Sequence, residues 1–262
     1  ARINTILIDI PQCLTLLKEQ GWDVSQDSNY KDIIYINSHR GSLEKSDAVI
    51  KGYITFMDKA SMLVARLVNP QPGERVLDCC AAPGGKSMYM AALMDNTGSL
   101  MSCDIHEHKI TLMESNAQRL GISIVQTKVQ DATELPSAWK SYFDRVLVDV
   151  PCSGLGILQK KLDMRWRKDE STLSELPPLQ LSILERAAMT VKEKGYLVYS
   201  TCTLNYKENE DVVEAFLQKH KEFSIVPVGT DFPLKSNNGM ITTYPPTDDM
   251  DGFFMVKMQR IS

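Results

Sequence analysis

A chain of 262 residues, 43% apolar and 24% charged, has ordinary globular usage; this excludes a disordered or fibrous protein and allows one large domain with an appendage. The net charge of −4 lacks the basic balance usual in nucleic-acid binders, so such a partner must meet a local patch or a basic domain outside the chain. Six cysteines are too sparse for a disulfide scaffold and form no C-x-x-C pair, so neither a stapled fold nor a metal site is expected.

In chain order, residues 1–55 give a strand at 2–8, a helix at 11–20, a strand at 33–37 and a loop with Gly41 and Gly52, a small α+β appendage. The apolar runs Thr5-Ile6-Leu7-Ile8 and Met62-Leu63-Val64-Ala65 are too short to span a membrane, and no secretory leader pattern is present. A soluble protein of the reducing cytoplasm is expected. The chain starts without Met, directly in strand-like sequence, and reads as a fragment of a longer protein.

Residues 56–262 form the second unit. From about residue 70, β-rich runs near 75–79, 99–104, 123–128, 144–149 and 195–201 alternate with helical stretches, the pattern of a doubly wound parallel sheet. His106 to Leu120 places Ile110, Met113, Ala117 and Leu120 at helical spacing and stops at Gly121. Leu179 to Val191 repeats that period. Two last strands near 223–228 and 252–259, joined through Pro245-Pro246 without a helix, predict an antiparallel pair at the sheet edge. The fold class is therefore α/β, a seven-stranded, mostly parallel sheet with that edge pair and the small appendage.

A glycine turn, Asp78-Cys79-Cys80-Ala81-Ala82-Pro83-Gly84-Gly85-Lys86-Ser87, follows the first of these strands and opens a helix. Small residues let a ligand approach the backbone, and the helix start offers N–H groups. A triphosphate loop needs glycine where Cys80 stands, and the dinucleotide fingerprint is absent. The next strand ends in Cys103-Asp104, where an open α/β sheet places an acid for ribose hydroxyls, and Asp131 follows the third strand in position to meet an adenine. Either acid alone reads as a helix cap or loop acid. Together they describe a nucleoside pocket with no phosphate cradle, which points to S-adenosylmethionine.

Two cysteines lie just beyond strands at the same edge: Cys152 in Asp149-Val150-Pro151-Cys152 and Cys202 in Ser200-Thr201-Cys202-Thr203. Cys13, Cys79 and Cys103 read instead as small buried hydrophobes. A thiolate beside a carboxylate can activate an electron-poor ring.

These motifs occur in fixed order together with Arg2-Ile3-Asn4-Thr5, Pro72-Gly73-Glu74-Arg75-Val76-Leu77-Asp78, Ser153-Gly154-Leu155-Gly156 and Asp251-Gly252-Phe253-Phe254. Over essentially its whole length the chain resembles the RNA cytosine carbon-5 methyltransferases of the NOL1/NOP2/Sun family, in particular its bacterial 16S rRNA members. The resemblance implies a Rossmann-like S-adenosylmethionine-dependent methyltransferase fold. It implies Cys202 as the nucleophile that adds to carbon 6 of cytosine, and Cys152 as the cysteine that assists release. It assigns Cys80, Ala81, Ala82, Pro83, Gly84, Gly85, Lys86, Asp104, Asp131 and Asp149 to the cofactor site. Carbon 5 is a poor nucleophile until a thiolate adds to carbon 6, Asp149 is the acid nearest to assist proton transfer at the ring nitrogen, and Lys86 assists electrostatically.

By the same resemblance the appendage corresponds to a small RNA-recognition-like subdomain, and bacterial relatives carry a further helical RNA-binding domain upstream that this chain lacks. Residues 159–168 hold five basic residues against one acid. Lys160, Lys161, Arg165 and Arg167 are candidates to grip phosphates and Trp166 to stack on a base; the bland alternative is a solvated loop whose tryptophan plugs the core. The expected substrate is RNA, foremost 16S rRNA, and the expected state a monomer. Alternatives are a tRNA or DNA cytosine methyltransferase, where the DNA scheme makes Cys152 the nucleophile, and a non-catalytic RNA-binding ribosome assembly factor.

Overall fold

The computed structural model describes residues 1–160, 170–229 and 232–262. The first elements are β1 (Arg2–Ile3), α1 (Ile10–Glu19), β2 (Asp23–Gln26), β3 (Ile34–Ser38), α2 (Asp47–Ile50) and β4 (Ile54–Thr55). Asp9 starts α1 by accepting the Gln12 amide at 2.8 Å, with Pro11 in the first turn where its missing N–H costs nothing. Ile3, Cys13, Leu17, Trp22, Ile34 and Ile54 close a small core. Cys13 is fully buried within it, as a small hydrophobe.

The strand expected over 2–8 is only β1. After Ile3 the amides of Leu7 and Ile8 turn back to the Asn4 carbonyl, and the Asn4 side chain donates to the carbonyls of Gly52 and Leu120, each at 2.9 Å. These bonds bend the chain out of any sheet. β2, which the sequence did not announce because Asp-Val-Ser-Gln is polar, pairs antiparallel with β3.

The remaining elements are α3 (Lys59–Val68), β5 (Arg75–Asp78), α4 (Gly85–Leu93), β6 (Ser99–Asp104), α5 (Glu107–Arg119), β7 (Val125–Val129), β8 (Phe143–Asp149), α6 (Glu170–Ala188), β9 (Val191–Thr201), α7 (Glu210–Lys219), β10 (Phe223–Ile225), β11 (Met240–Thr242), α8 (Pro245–Asp248) and β12 (Phe254–Arg260). The large sheet runs β10-β12-β9-β8-β5-β6-β7, with β11 added beside β12. β5 to β9 are parallel, and β12 is antiparallel to β9, β10 and β11. All seven expected strands are present with the antiparallel edge, and β11 is an eighth. The link between the last two expected strands also contains α8, one turn that begins on Pro245-Pro246, where fixed φ angles suit the first helical positions.

Successive strand residues serve opposite faces. Val76, Leu147, Val198 and Met255 pack with Leu63, Met88 and Met113 of α3, α4 and α5. Their neighbours Leu77, Val146, Val148, Leu197, Tyr199 and Phe254 pack with Ile183, Leu184, Val212 and Phe216 of α6 and α7. Both faces are covered, which is why the parallel strands read as continuous apolar runs. Burying one such side chain as fully as Phe216 contributes about 1.5–3 kcal/mol relative to exposure.

Two boundaries differ from the sequence expectation. α6 begins at Glu170 and runs through Pro177-Pro178 to Ala188, whereas the apolar period suggested Leu179 to Val191. Interior prolines lack a backbone donor and read as stops, but packing of Ile183, Leu184 and Ala187 on the sheet sustains the helix. β9 begins at Val191 because a register shift against β8 absorbs the Lys192-Glu193-Lys194 stretch, with Lys194 in the left-handed region at φ 63.

The first 55 residues dock on the sheet unit through polar contacts. Asp32 pairs with Arg66 and accepts the Tyr89 hydroxyl at 2.7 Å, and Arg119 donates to the Val49 carbonyl at 2.8 Å. Among the described residues no helix is long and apolar enough to cross a membrane.

Candidate active site

Five parallel strands deliver their C-terminal ends to one edge, and β5 lies where the strand order reverses, between β6 and β8. Open α/β sheets bind ligands at such a point. A cavity of about 480 Å³ lies there, lined by Cys80, Asp104, Asp131, Asp149, Cys152 and Cys202 among others.

The glycine turn is stitched to both neighbouring strands. The Cys79 amide donates to the Leu147 carbonyl at 3.0 Å and the Ala81 amide to the Cys103 carbonyl at 2.7 Å. Gly84 has φ 97, and a Cβ there would lie 3.0 Å from Met113 Cγ. Cys80 and Ala82 line the cavity, while Ala81, Pro83, Gly84, Gly85 and Lys86 are not among its lining residues, and Pro83 and Gly85 are exposed. Cys79 sits one residue past β5 and not inside it; it is buried, as is Cys103, in keeping with their apolar role.

Lys86 reaches from α4 across to β8. Its Nζ donates to Asp149 Oδ2 at 2.6 Å, Ser200 Oγ donates to Asp149 Oδ1 at 2.7 Å, and the Phe253 ring lies 5.2 Å from the ammonium. Burial disfavours the Lys86 charge, but the Asp149 carboxylate outweighs it and holds the pKa above the usual lysine value. Asp78 lies beneath this pair and accepts the Ser87 hydroxyl at 2.7 Å. Burial pushes its carboxyl up to about 7 in spite of that bond.

Asp104 accepts the His106 amide at 3.0 Å and stands 3.5 Å from the Lys109 ammonium. Asp131 accepts the Thr133 amide at 2.8 Å and its hydroxyl at 2.7 Å. Each acid thus caps its own turn, and each also lines the cavity. The apolar part of the wall includes Ile105, 56% exposed, and Leu179, 40% exposed. Neither was singled out from the sequence; the signal for Ile105 was a bare isoleucine directly after a strand-end acid.

Cys152 Sγ and Cys202 Sγ are 3.2 Å apart, and the Cys202 amide donates to Cys152 Sγ at 3.3 Å. None of the six cysteines is in a disulfide. The contact with Cys202, and burial after it, hold the Cys152 thiol well above the usual cysteine range, so Cys152 keeps its proton at neutral pH. Gly156 locks the two loops together: its amide donates to the Cys202 carbonyl at 3.0 Å and its carbonyl accepts the Gly252 amide at 3.0 Å. A Cβ on Gly156 would lie 1.9 Å from the Gly252 oxygen, so only glycine fits.

Lys160 donates to Asp58 Oδ2 at 2.6 Å and Asp251 Oδ2 at 2.9 Å, so this candidate phosphate contact already faces two carboxylates. Lys161, Arg165, Trp166 and Arg167 lie outside the described residues. Among the described residues no group of three or more His, Cys, Asp or Glu side chains could hold a metal ion.

Comparison with known proteins places this site in a family. The chain is 37% identical over 265 residues to the "Probable ribosomal RNA small subunit methyltransferase B" of Bacillus subtilis, covering 99% of the chain and 59% of that protein. It is 36% identical over 229 residues to the human 28S rRNA (cytosine(4447)-C(5))-methyltransferase, covering 81% of the chain and 28% of that protein. The crystal structure of PH0851 superposes with a TM-score of 0.92 at 32% identity, covering 98% of the chain and 58% of that structure. The chain therefore spans less than two thirds of each of these relatives. The profile of the 16S rRNA methyltransferase RsmB/F family matches residues 65–259, from α3 through the cavity to β12, and the chain belongs to that family.

Proposed function

We propose that the chain carries the catalytic unit of an S-adenosylmethionine-dependent RNA cytosine carbon-5 methyltransferase that acts on 16S rRNA. The observation that carries this reading is the Cys152–Cys202 pair, 3.2 Å apart on the wall of a cavity that also holds Asp149. Family membership and the rRNA methyltransferase names of the relatives support it. Residues 1–55 serve as the RNA-recognition-like appendage and 56–262 as the catalytic domain, in a cytoplasmic monomer.

The cavity fits the cofactor. About 480 Å³ is within the range of small-molecule sites, the acids Asp104 and Asp131 stand at successive strand ends, and Ile105 offers an apolar surface to a flat base. Asp104 would hold the ribose, Asp131 the adenine side, and the Cys80–Lys86 turn the remainder. S-adenosylmethionine supplies an electrophilic methyl group when bound.

The chain's own residues prepare the cytosine. Cys202 attacks carbon 6 as a thiolate, which the nearby Lys86 ammonium favours electrostatically. Asp149, oriented by Ser200 and charge-paired with Lys86, assists proton transfer at the ring nitrogen. The adduct makes carbon 5 nucleophilic. Cys152, which keeps its proton, stands beside the sulfur that must leave and assists release by protonating it, while a base takes the proton from carbon 5 so that the C6–S bond can break. A target base inside folded RNA must be unstacked to reach this pair. Lys160, Lys161, Arg165, Trp166 and Arg167 are the proposed RNA contacts.

The test is transfer of labelled methyl from S-adenosylmethionine to unmodified 16S rRNA, tRNA and duplex DNA. Label in rRNA cytosine supports the reading; label confined to tRNA or DNA replaces the substrate, and cofactor binding with no label in any of them favours an assembly factor.

A further inference from the structure

The loop after Cys202 carries a carboxylate that the reaction scheme above does not use. Glu208 has no exposed surface. Its Oε2 accepts the Ser153 amide at 2.8 Å and Gln180 Nε2 at 3.0 Å, and its Oε1 accepts Asn205 Nδ2 at 2.9 Å. The three donors come from three places. Ser153 follows Cys152, Asn205 lies three residues past Cys202, and Gln180 belongs to α6, where the same amide also donates to the Pro151 carbonyl at 3.0 Å. Among the described residues Glu208 forms no ion pair, and its side-chain partners are these neutral amide donors.

A buried carboxylate is expensive to desolvate, and its use here calls for a reason that packing alone does not supply. An ionised carboxylate accepts at both oxygens and can hold several donors at once, which no apolar or singly accepting side chain can do. Here the donors lie on the two cysteine loops and on α6 beside them. The surrounding bonds run the same way: Ser153 Oγ lies 2.7 Å from Thr203 Oγ1, and the Glu208 carbonyl accepts the Tyr199 hydroxyl at 2.6 Å.

We propose that Glu208 is a positioning residue that fixes the separation of Cys152 and Cys202 by tying both cysteine loops and α6 to one carboxylate. The inference deepens the covalent scheme proposed above and rests on it for its catalytic meaning. The geometric part stands independently, because the distance between the two sulfurs can be probed without any RNA.

The probe is phenylarsine oxide, a trivalent arsenical that condenses with two neighbouring thiols to form two As–S bonds and release one water. The wild-type chain is expected to capture one equivalent tightly, and Cys152→Ser to lose that capture, which assigns it to the pair. Glu208→Gln, which sets an amide N–H₂ against the Asn205 donor, is expected to weaken capture at least tenfold. The double variant Glu208→Gln with Asn205→Asp restores a donor facing an acceptor and is expected to recover capture; a merely structural loss would not be rescued this way. Gln180→Met, which removes the α6 donor at similar volume, is the second variant should Glu208→Gln fail to fold, and it too is expected to weaken capture. Wild-type capture in Glu208→Gln or in a folded Gln180→Met variant overturns the proposal, as does absence of capture in the wild type. In methyl transfer, Glu208→Gln is expected to lower kcat at least tenfold with KM for S-adenosylmethionine unchanged. Capture that follows the predicted pattern in a chain that methylates no nucleic acid upholds the positioning role and overturns the methyltransferase reading instead.

Discussion

Lys86 Nζ and Asp149 Oδ2 are 2.6 Å apart, so the first helix after the glycine turn is tied by a charge pair to the strand end that leads into Pro151-Cys152. The pair joins the proposed cofactor turn to the proposed site of chemistry. Lys86→Met removes the ammonium that favours the Cys202 thiolate and leaves Asp149 without its partner. Methyl transfer is expected to fall about 10²–10⁴-fold, the range of general acid–base and electrostatic assistance, in single-turnover assays. Activity within threefold of wild type would remove Lys86 from the mechanism.

The two cysteines are expected to behave differently. Cys202→Ala abolishes methyl transfer and spares cofactor binding. Cys152→Ala allows attack by Cys202 and slows release, so a protein–RNA adduct accumulates and appears as a shifted band on a denaturing gel. A shifted band in the Cys202 variant and none in the Cys152 variant would exchange the two roles.

Asp104 already holds the His106 amide, so truncation to alanine would disturb the loop as well as the ligand. Asp104→Asn keeps an acceptor for that amide and removes the charge. Hydrogen bonds to charged groups are worth about 1.5–3 kcal/mol, so calorimetry is expected to show cofactor binding weakened by one to two orders of magnitude. Unchanged affinity contradicts the ribose role.

Gly156→Ala places a methyl group on the Gly252 carbonyl. Overpacking of this kind costs about 1–3 kcal/mol, expected as a melting temperature lowered by about 2–10 °C. Methyl transfer is expected to fall further than stability, because the displaced backbone holds the Cys202 carbonyl. A variant with unchanged melting and activity would show that the loops tolerate separation.

Asp78 predicts a pH effect of definite sign. Its folded carboxyl is raised to about 7 from an ordinary value of 3.8, so the native state holds a proton that the unfolded chain has lost, and stability declines as pH rises through that interval. Asp78→Asn removes the penalty of the buried charge. The variant is expected to gain on the wild type by about 2–4 kcal/mol above pH 7 and to lose that gain below pH 4. Thermal melts at pH 4, 6 and 8 check this; a gap that widens toward acid would contradict it.

The parallel sheet was legible because strands buried on both faces, such as Val146-Leu147-Val148, leave no polar alternation to confuse them. The strand-end acids and cysteines were legible because strand ends place them on one edge. What the sequence withheld was pairing over distance: nothing local reveals that Lys86 meets Asp149, that Lys160 meets Asp58 and Asp251, or that Glu208 collects donors from three segments. Short elements were withheld too. β2 is polar, β11 has three residues, and α6 continues through two prolines because tertiary packing outweighs local preference.

Labelled methyl transfer to unmodified 16S rRNA, with the wild type and Cys202→Ala side by side, decides whether Cys202 is the nucleophile of an rRNA methyltransferase. Label at cytosine carbon 5 is expected with the wild type and none with the variant. Equal labelling by both would contradict that role.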